Sequence, residues 1–532
     1  MSARVDWRER PIIAFVTRPT GEGLPSVKIA VLPPTRSILI ANRGEIAIRV
    51  IKTCRAMGIE TVAVYSEADA GALHVREADR AMPIGPAPSA ESYLRIDRIL
   101  AAAKEAGVDA IHPGYGFLSQ NGEFADACAD ASILFIGPTG DVHRLMGDKK
   151  AARQQVARFG VPVVPGYDGD DQTNERLIAE ASRVGFPLMI KPSRGGGGKG
   201  MHVTNSAADF EAILPRARRE SLSSFGSDVV VLERFVSKPR HVEVQVLFDQ
   251  HKNGVHLFER ECSVQRRHQK VLEETPSVAL NAELRERLCG AGVAAAAAAN
   301  YTNAGTVEFL LDAEGEFFFL EMNTRLQVEH PVTEMTLGLD LVRLQIEIAE
   351  GRPLPFAQEQ LTPRGHAIEA RLNAEDPRHG DAPSPGRILR FEEPRGPFLR
   401  CDLGVATGSV VPEHYDPMIG KIIACGPTRD AARLTLIEGL RDLVVLGIST
   451  NRDRLIQILE SEPFRSGRIH TGVLDEIGPL PPEPPPLPED LAAIVAALEV
   501  SSQTLAAGRN DAPDRPASSP DPWAATSAWR LR

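Results

Sequence analysis

The sequence predicts an α/β protein of about three domains: a parallel-sheet unit first, a central α+β unit carrying a glycine-rich loop, and a strand-rich unit toward the C-terminal end. Three observations carry this. At roughly 100–200 residues per domain, 532 residues make about three cores. The stretch "SILIANRGEIAIRVIKTCRAMGIETVAVYS" reads strand, helix, strand. From Asp148 onward the pattern changes to strands that alternate in polarity or pair as hairpins.

Residues 1–35 have no clear periodicity, end in "LPPTR", and read as an irregular leader. In the first domain, 36–147, Ser37 to Ala41 is a buried strand, and the helix after it places Ile46, Val50, Ile51, Cys54 and Met57 on one apolar side. Thr61 to Tyr65 is the next strand, and a βαβ crossover implies a parallel sheet. The central region, 148–350, holds the strand "FPLMIK", the glycine loop, β-like "MHVTN", a helix from about Ser206, and the strand "HVEVQVLFD". Clean alternation in this last segment predicts a half-buried antiparallel strand. Region 364–476 is again strand-rich, with the turn-rich "APSPGRI" and "EHYDPMIGKIIACG". Residues 477–532 open on a polyproline-like linker, "GPLPPEPPPLPED", and continue as an alanine-rich helix and a mobile tail. There is no internal repeat.

A formal charge of −11 argues against a dedicated nucleic-acid binder, which needs a net basic face. Six cysteines without CxxC spacing suggest neither a zinc knuckle nor a disulfide framework, so a reducing cytoplasm fits. No apolar run approaches the roughly 18 residues of a membrane span, and no membrane association is expected.

The loop "KPSRGGGGKGM", Lys191 to Met201, raises the question of phosphate binding. A Walker A loop needs Ser or Thr after its lysine and a helix directly behind it; here Lys199 precedes Gly200. The dinucleotide pattern G-x-G-x-x-G is met formally by Gly195, Gly197 and Gly200, but a glycine run matches almost any such pattern, and a strand follows instead of a helix. Two readings remain: a ligand-free surface loop, or a glycine-rich hairpin tip able to fold its N–H groups over phosphate and to move.

In "TVEFLLDAEGEFFFLEMNTR" two strands flank a turn centred between Glu314 and Gly315, which places Glu308 opposite Glu321 and Thr306 opposite Asn323. Period two puts Glu308, Glu321 and Asn323 on one face and Val307, Phe309, Phe318 and Leu320 on the other. Two facing carboxylates call for a cation, and oxygen-only donors favour a hard one such as Mg²⁺. The alternative is a solvated face paired to Lys or Arg. The adjoining "NTRLQVEH" adds Arg325, Glu329 and His330, a density that favours the metal.

Several stretches together resemble the biotin carboxylases, an ATP-grasp family: "NRGEIAIR", "HPGYGFLS", "FIGPT", "MGDK", "KPSRGGGGKGM", "PRHVEVQV", "ERECSVQRRHQKVLEE", "EMNTRLQVEHPVTE" and "HAIEARLNAEDP", in the family's order over about residues 36–474. The resemblance implies a Rossmann-like N-terminal domain, an ATP-grasp domain with a mobile lid at about 164–236, and a biotin carboxylase C-terminal domain. It implies that Lys149 and Lys191 contact ATP phosphates under a lid that includes Gly197 and Gly198. Glu233, Arg234, Phe235 and Val236 would line the adenine edge, with His241, Gln265 and His268 near the nucleotide. Glu308, Glu321 and Asn323 match the Mg²⁺ (or Mn²⁺) ligands. Lys270, Arg325 and Val328 match the bicarbonate site, Glu329 the base, and Arg371 the arginine facing biotin. The implied reaction makes carboxyphosphate from ATP and bicarbonate and carboxylates biotin on a carrier. The implied partners are a biotin carboxyl carrier protein or domain, a carboxyltransferase subunit and a second copy of the chain.

The sequence departs from the family at Arg194, which adds charge and bulk at the lid base. None of the nine methionines is followed by lysine, so the Met-Lys-Met biotin acceptor is missing from this chain. Cys262 lies within a motif but has no evident activating partner. The expectation is the first half-reaction of an acetyl-CoA or propionyl-CoA type carboxylase. Its rivals are the corresponding part of a pyruvate or urea carboxylase and an inactive regulatory subunit.

Overall fold

The computed structural model of the chain describes residues 34–194, 200–482 and Leu491. Gly197 and Gly198, residues 1–33 of the expected leader, and the expected alanine-rich helix apart from Leu491 lie outside the described residues. Contacts divide the chain into one unit, Met1–Leu480, and another, Pro481–Arg532.

The first unit begins with a five-stranded parallel sheet in the spatial order β3-β2-β1-β4-β5, built from β1 (Ser37–Ile40), β2 (Glu60–Ser66), β3 (Arg80–Gly85), β4 (Ala110–His112) and β5 (Leu134–Phe135). The crossover helix Gly44–Met57 buries Ile46, Val50, Ile51 and Cys54 against it, each aliphatic side chain contributing about 1.5–3 kcal/mol. The helix stops at Gly58, whose φ of 73° is the left-handed cap that glycine adopts without strain.

A four-stranded sheet in the order β6-β9-β7-β8 follows, from β6 (Gly166–Tyr167), β7 (Leu188–Pro192), β8 (His202–Thr204) and β9 (Val230–Arg234). The antiparallel pair β7 and β8 flanks the glycine loop, as the sequence predicts. The root of that loop is fastened: Arg194 bridges to Asp148, its Nε 3.7 Å from the carboxylate, and the Lys149 N–H donates to Ser193 O at 2.8 Å.

The largest sheet has eight strands in the order β14-β13-β10-β11-β12-β15-β17-β16. They are β10 (Arg240–Phe248), β11 (Gly254–Arg266), β12 (Gln269–Thr275), β13 (Asn303–Leu311), β14 (Phe317–Asn323), β15 (His366–Asn373), β16 (Leu399–Leu403) and β17 (Met418–Gly426). Antiparallel pairing of β12 with β15 makes one sheet of the central and the C-terminal strands. Val242, Val244, Val246, Val307 and Phe309 form its core with the helix Ala282–Ala298. That helix approaches closely at Gly292, where a Cβ would stand 2.8 Å from Val244.

Two expectations change here. Strand β10 is antiparallel to both neighbours, but it is not half-buried: every residue from His241 to Phe248 is buried. Its alternation separates a core face from a polar face that is itself enclosed, where His241, Glu243 and Gln245 find ionic or hydrogen-bonding partners within the protein. In the hairpin, Glu308 faces Glu321 and Thr306 faces Asn323 as expected, but a bulge follows. Beyond it Phe309 pairs with Phe319 and Leu311 with Phe317, so Phe317 and Phe319 enter the core in place of Phe318 and Leu320. One extra residue reverses the facing of everything toward the turn.

Candidate active site

Polar residues from β10, β12, β13 and β15 converge with the loop that follows β14. At the centre, Lys270 Nζ stands 2.5 Å from Glu243, 2.9 Å from Glu308 and 2.6 Å from Glu329. Arg260, fully buried beneath them, donates to Glu243 at 2.6 Å and to Gln245, Thr333 and Thr306. Arg371 reaches Glu273 at 2.5 Å and the second oxygen of Glu329 at 3.0 Å. Buried charge is tolerated only when paired and hydrogen-bonded, and each carboxylate here has at least one cation against it.

Glu329 closes β14's following loop and precedes the helix His330–Leu337. Burial alone would push its carboxyl up, but Lys270, Arg371 and Arg260 hold it well below the usual carboxylate range. Glu308 behaves likewise: against burial, Lys270 and His241 hold it below that range. Glu308 Oε1 also accepts from Asn323 Nδ2 at 2.9 Å and Gln327 Nε2 at 3.0 Å. Arg325 differs from the other cations. Among the described contacts its guanidinium donates only to the neutral oxygens of Leu326, Gln327 and Asn323, at 2.8–3.1 Å. It is a charge held in place without a carboxylate of its own, the arrangement an anion needs.

Next to this cluster the hairpin presents Glu308 and Glu321 in direct register, with Asn323 two residues on. Lys149 Nζ lies 3.5 Å from Glu321 and lines with it, Asn323 and Thr324 a cavity of about 170 Å³. Two facing carboxylates and an amide are an oxygen-only donor set, which suits a hard divalent cation. His241 also belongs here, with Nε2 2.9 Å from Glu308 and Nδ1 2.6 Å from Gln265. His241, Glu243 and Glu308 lie close enough to share an ion, although Lys270 already occupies two of those carboxylates.

Lys191 is buried on β7 and paired with Glu233 of β9, which also takes Arg153 at 3.3 Å. The Glu233 carboxylate is thus spent on two cations. Arg234 is exposed and stacks over Phe318 at 5.6 Å; Phe235 and Val236 follow on a partly open edge. His268 stands exposed at the turn between β11 and β12 with φ 67°. The Val328 carbonyl accepts from Lys421 Nζ at 2.8 Å.

Sequence reasoning missed Glu243, Arg260, Glu273, Gln327 and Lys421, all of which support the cluster. A signal existed for Glu243, which alternates with His241 and Gln245 along β10. Nothing local marked Arg260 or Lys421, because their burial depends on strands distant in sequence. Cys262 is buried with Sγ 3.9 Å from Glu329, and burial pushes its thiol well up, so it is no nucleophile.

Family models match three regions of the chain: the biotin carboxylase N-terminal domain over residues 34–142, the carbamoyl-phosphate synthase L chain ATP-binding domain over 148–357, and the biotin carboxylase C-terminal domain over 369–476. The chain is 49% identical to a methylcrotonoyl-CoA carboxylase subunit alpha of Rattus norvegicus over 440 residues, which is 82% of this chain and 62% of that one. It is 49% identical to a biotin carboxylase of a Nostoc species, covering 83% of this chain and 98% of that one. Among solved structures it is similar to the biotin carboxylase domain dimer of Hydrogenobacter thermophilus 2-oxoglutarate carboxylase, in complex with MgADP, ADP and bicarbonate, at TM-score 0.80 and 41% identity, over 84% of this chain and 98% of that one. The chain therefore spans under two thirds of the rat relative and nearly all of the bacterial ones. None of the described helices is long and apolar enough to cross a membrane.

Proposed function

The chain belongs to the biotin carboxylase family, and we propose on that footing that it uses ATP and bicarbonate to carboxylate biotin carried on another protein. The observation that carries this is Glu329: a fully buried carboxylate kept ionised by Lys270 and Arg371, beside Arg325, whose guanidinium among the described residues donates to neutral oxygens only. An anion held by Arg325 and Lys270 would lie next to a base able to take its proton, which makes bicarbonate a nucleophile toward phosphorus.

In this reading Lys149 and Lys191 hold the nucleotide phosphates, and Lys191 must leave Glu233 to do so. Glu233 to Val236 form the adenine edge, and His241 with Gln265 supports Glu308. Glu308, Glu321 and Asn323 would hold Mg²⁺, which offsets charge on the transferring phosphoryl group. The glycine loop, tethered at Arg194 to Asp148, closes over the phosphates and excludes water from carboxyphosphate. Arg371 faces biotin. We assign the supporting partners to the same reading: a biotin carrier, a carboxyltransferase and a second copy of the chain. The six cysteines are all unpaired, which supports a reducing compartment. The final acceptor belongs to the carboxyltransferase, since similar chains serve a methylcrotonoyl-CoA carboxylase and a 2-oxoglutarate carboxylase.

The test is bicarbonate-dependent ATP hydrolysis with Mg²⁺, with and without free biotin. Phosphate release stimulated by biotin is expected; its absence from folded protein overturns the reading.

A further inference from the structure

Behind Arg371 the sheet holds two carboxyl groups that the proposed reaction does not use. Glu273 on β12 and Glu369 on β15 are direct partners in the antiparallel register, so their side chains leave the same face a few ångströms apart. Both are buried, at 1% and 0% exposure. Glu273 Oε1 is committed to Arg371, at 2.6 Å from Nε. Among the described residues its Oε2 has no hydrogen-bond partner, and neither oxygen of Glu369 has one. Two ionised carboxylates cannot sit opposite each other, enclosed, with three oxygens unserved; an O–H on one of them is the donor that would serve both.

The surrounding charges favour placing that proton on Glu369. Facing the pair are Lys270 from β12, Arg371 from β15, Lys421 from β17, and Glu329, which precedes the helix His330–Leu337. Arg371 is bonded to Glu273, whereas Lys421 turns to Val328 O at 2.8 Å and stands 3.3 Å from Glu45, so among the described residues no cation is bonded to Glu369.

We propose that Glu369 is a neutral carboxylic acid whose O–H donates a hydrogen bond to the Glu273 carboxylate, keeping the side of Arg371 away from Glu329 at one negative charge and so fixing the arginine for biotin. Glu369 is then a positioning residue acting through Glu273. Burial agrees with the assignment: it pushes Glu273 up to about 7 against the pull of Arg371, and Glu369 well above the usual range against the pull of Lys421. The function assigned to this proton rests on the proposed biotin-facing role of Arg371; the proton itself does not.

Two measurements on the full chain separate these. The first is infrared spectroscopy at pH 7.5, which should give a carboxylic-acid C=O stretch that Glu369→Gln removes; its absence from the wild-type protein overturns the proposal. The second compares Glu369→Gln, which keeps a neutral donor, with Glu369→Met, which fills similar space without one. The Met variant should raise the KM for biotin by about tenfold or more, the loss expected for a donor to a charged acceptor, and the Gln variant should restore it. Equal behaviour of the two variants overturns the positioning role. If the wild-type protein shows no biotin-stimulated hydrolysis, the functional reading fails while the infrared band still decides the proton.

Discussion

Lys270 and Glu329 meet at 2.6 Å in a buried pocket, and the same ammonium also touches Glu243 and Glu308. One lysine therefore ties the expected base to the expected metal face. This contact favours the ionised form of Glu329, the form that the base proposed above requires.

Glu329→Gln keeps the shape of the side chain and removes its basicity. Turnover should fall by about 10²–10⁴-fold, the range for a general base, while ATP binding measured by calorimetry stays intact. Unchanged turnover would remove Glu329 as the base.

Glu321 is the more open of the two hairpin carboxylates, with Lys149 3.5 Å away. Glu321→Gln should raise the Mg²⁺ concentration needed for half-maximal ATP hydrolysis by about 10–100-fold, the range seen even for groups one step removed from a metal. A Mg²⁺ titration indistinguishable from wild type would take Glu321 out of the metal site.

Arg260 has no exposed surface, and its pairing with Glu243 is enclosed on all sides. Arg260→Met leaves part of that charge uncompensated and should cost about 3–5 kcal/mol in denaturant unfolding. A loss under about 1 kcal/mol would mean that Lys270 alone can hold Glu243.

Three histidines outside the cluster report on acid stability. Burial pushes His74, His112 and His143 down to about 4 from an ordinary 6.5. Their folded-state values are depressed, so the unfolded chain binds protons first as pH falls. The stability they contribute is full above about pH 6.5 and is lost progressively toward pH 4. Unfolding free energy should drop across this window with a slope approaching about 1.4 kcal/mol per pH unit for each histidine. A flat profile from pH 6.5 to 4.5 contradicts their buried neutral state.

Much of this was legible before folding. The βαβ start, the strands flanking the glycine loop and the facing of Glu308 with Glu321 follow from spacing alone, since a helix repeats every 3.6 residues and a strand every two. The reading went wrong where a single residue breaks the count. The bulge between Glu308 and Phe309 brought Phe317 and Phe319 inward, and no periodicity announces a bulge in advance. The same limit applies to β10, whose alternation was correct while the burial of its polar side was not visible.

By itself the sequence determined which groups are present: the hairpin carboxylates, the Glu329 carboxylate in "QVEH", Lys149 and Lys191 ahead of the glycine run, and the family to which they belong. Only the tertiary structure decided their company. Pairing of β12 with β15 sets Glu273 against Glu369 and brings Arg371 to Glu329, and the depth of the pocket makes Arg260 and Lys421 internal. The reason is range. Local patterns specify which face a side chain takes, but which strand lies opposite, and whether water reaches between them, is settled by contacts among segments far apart in the chain.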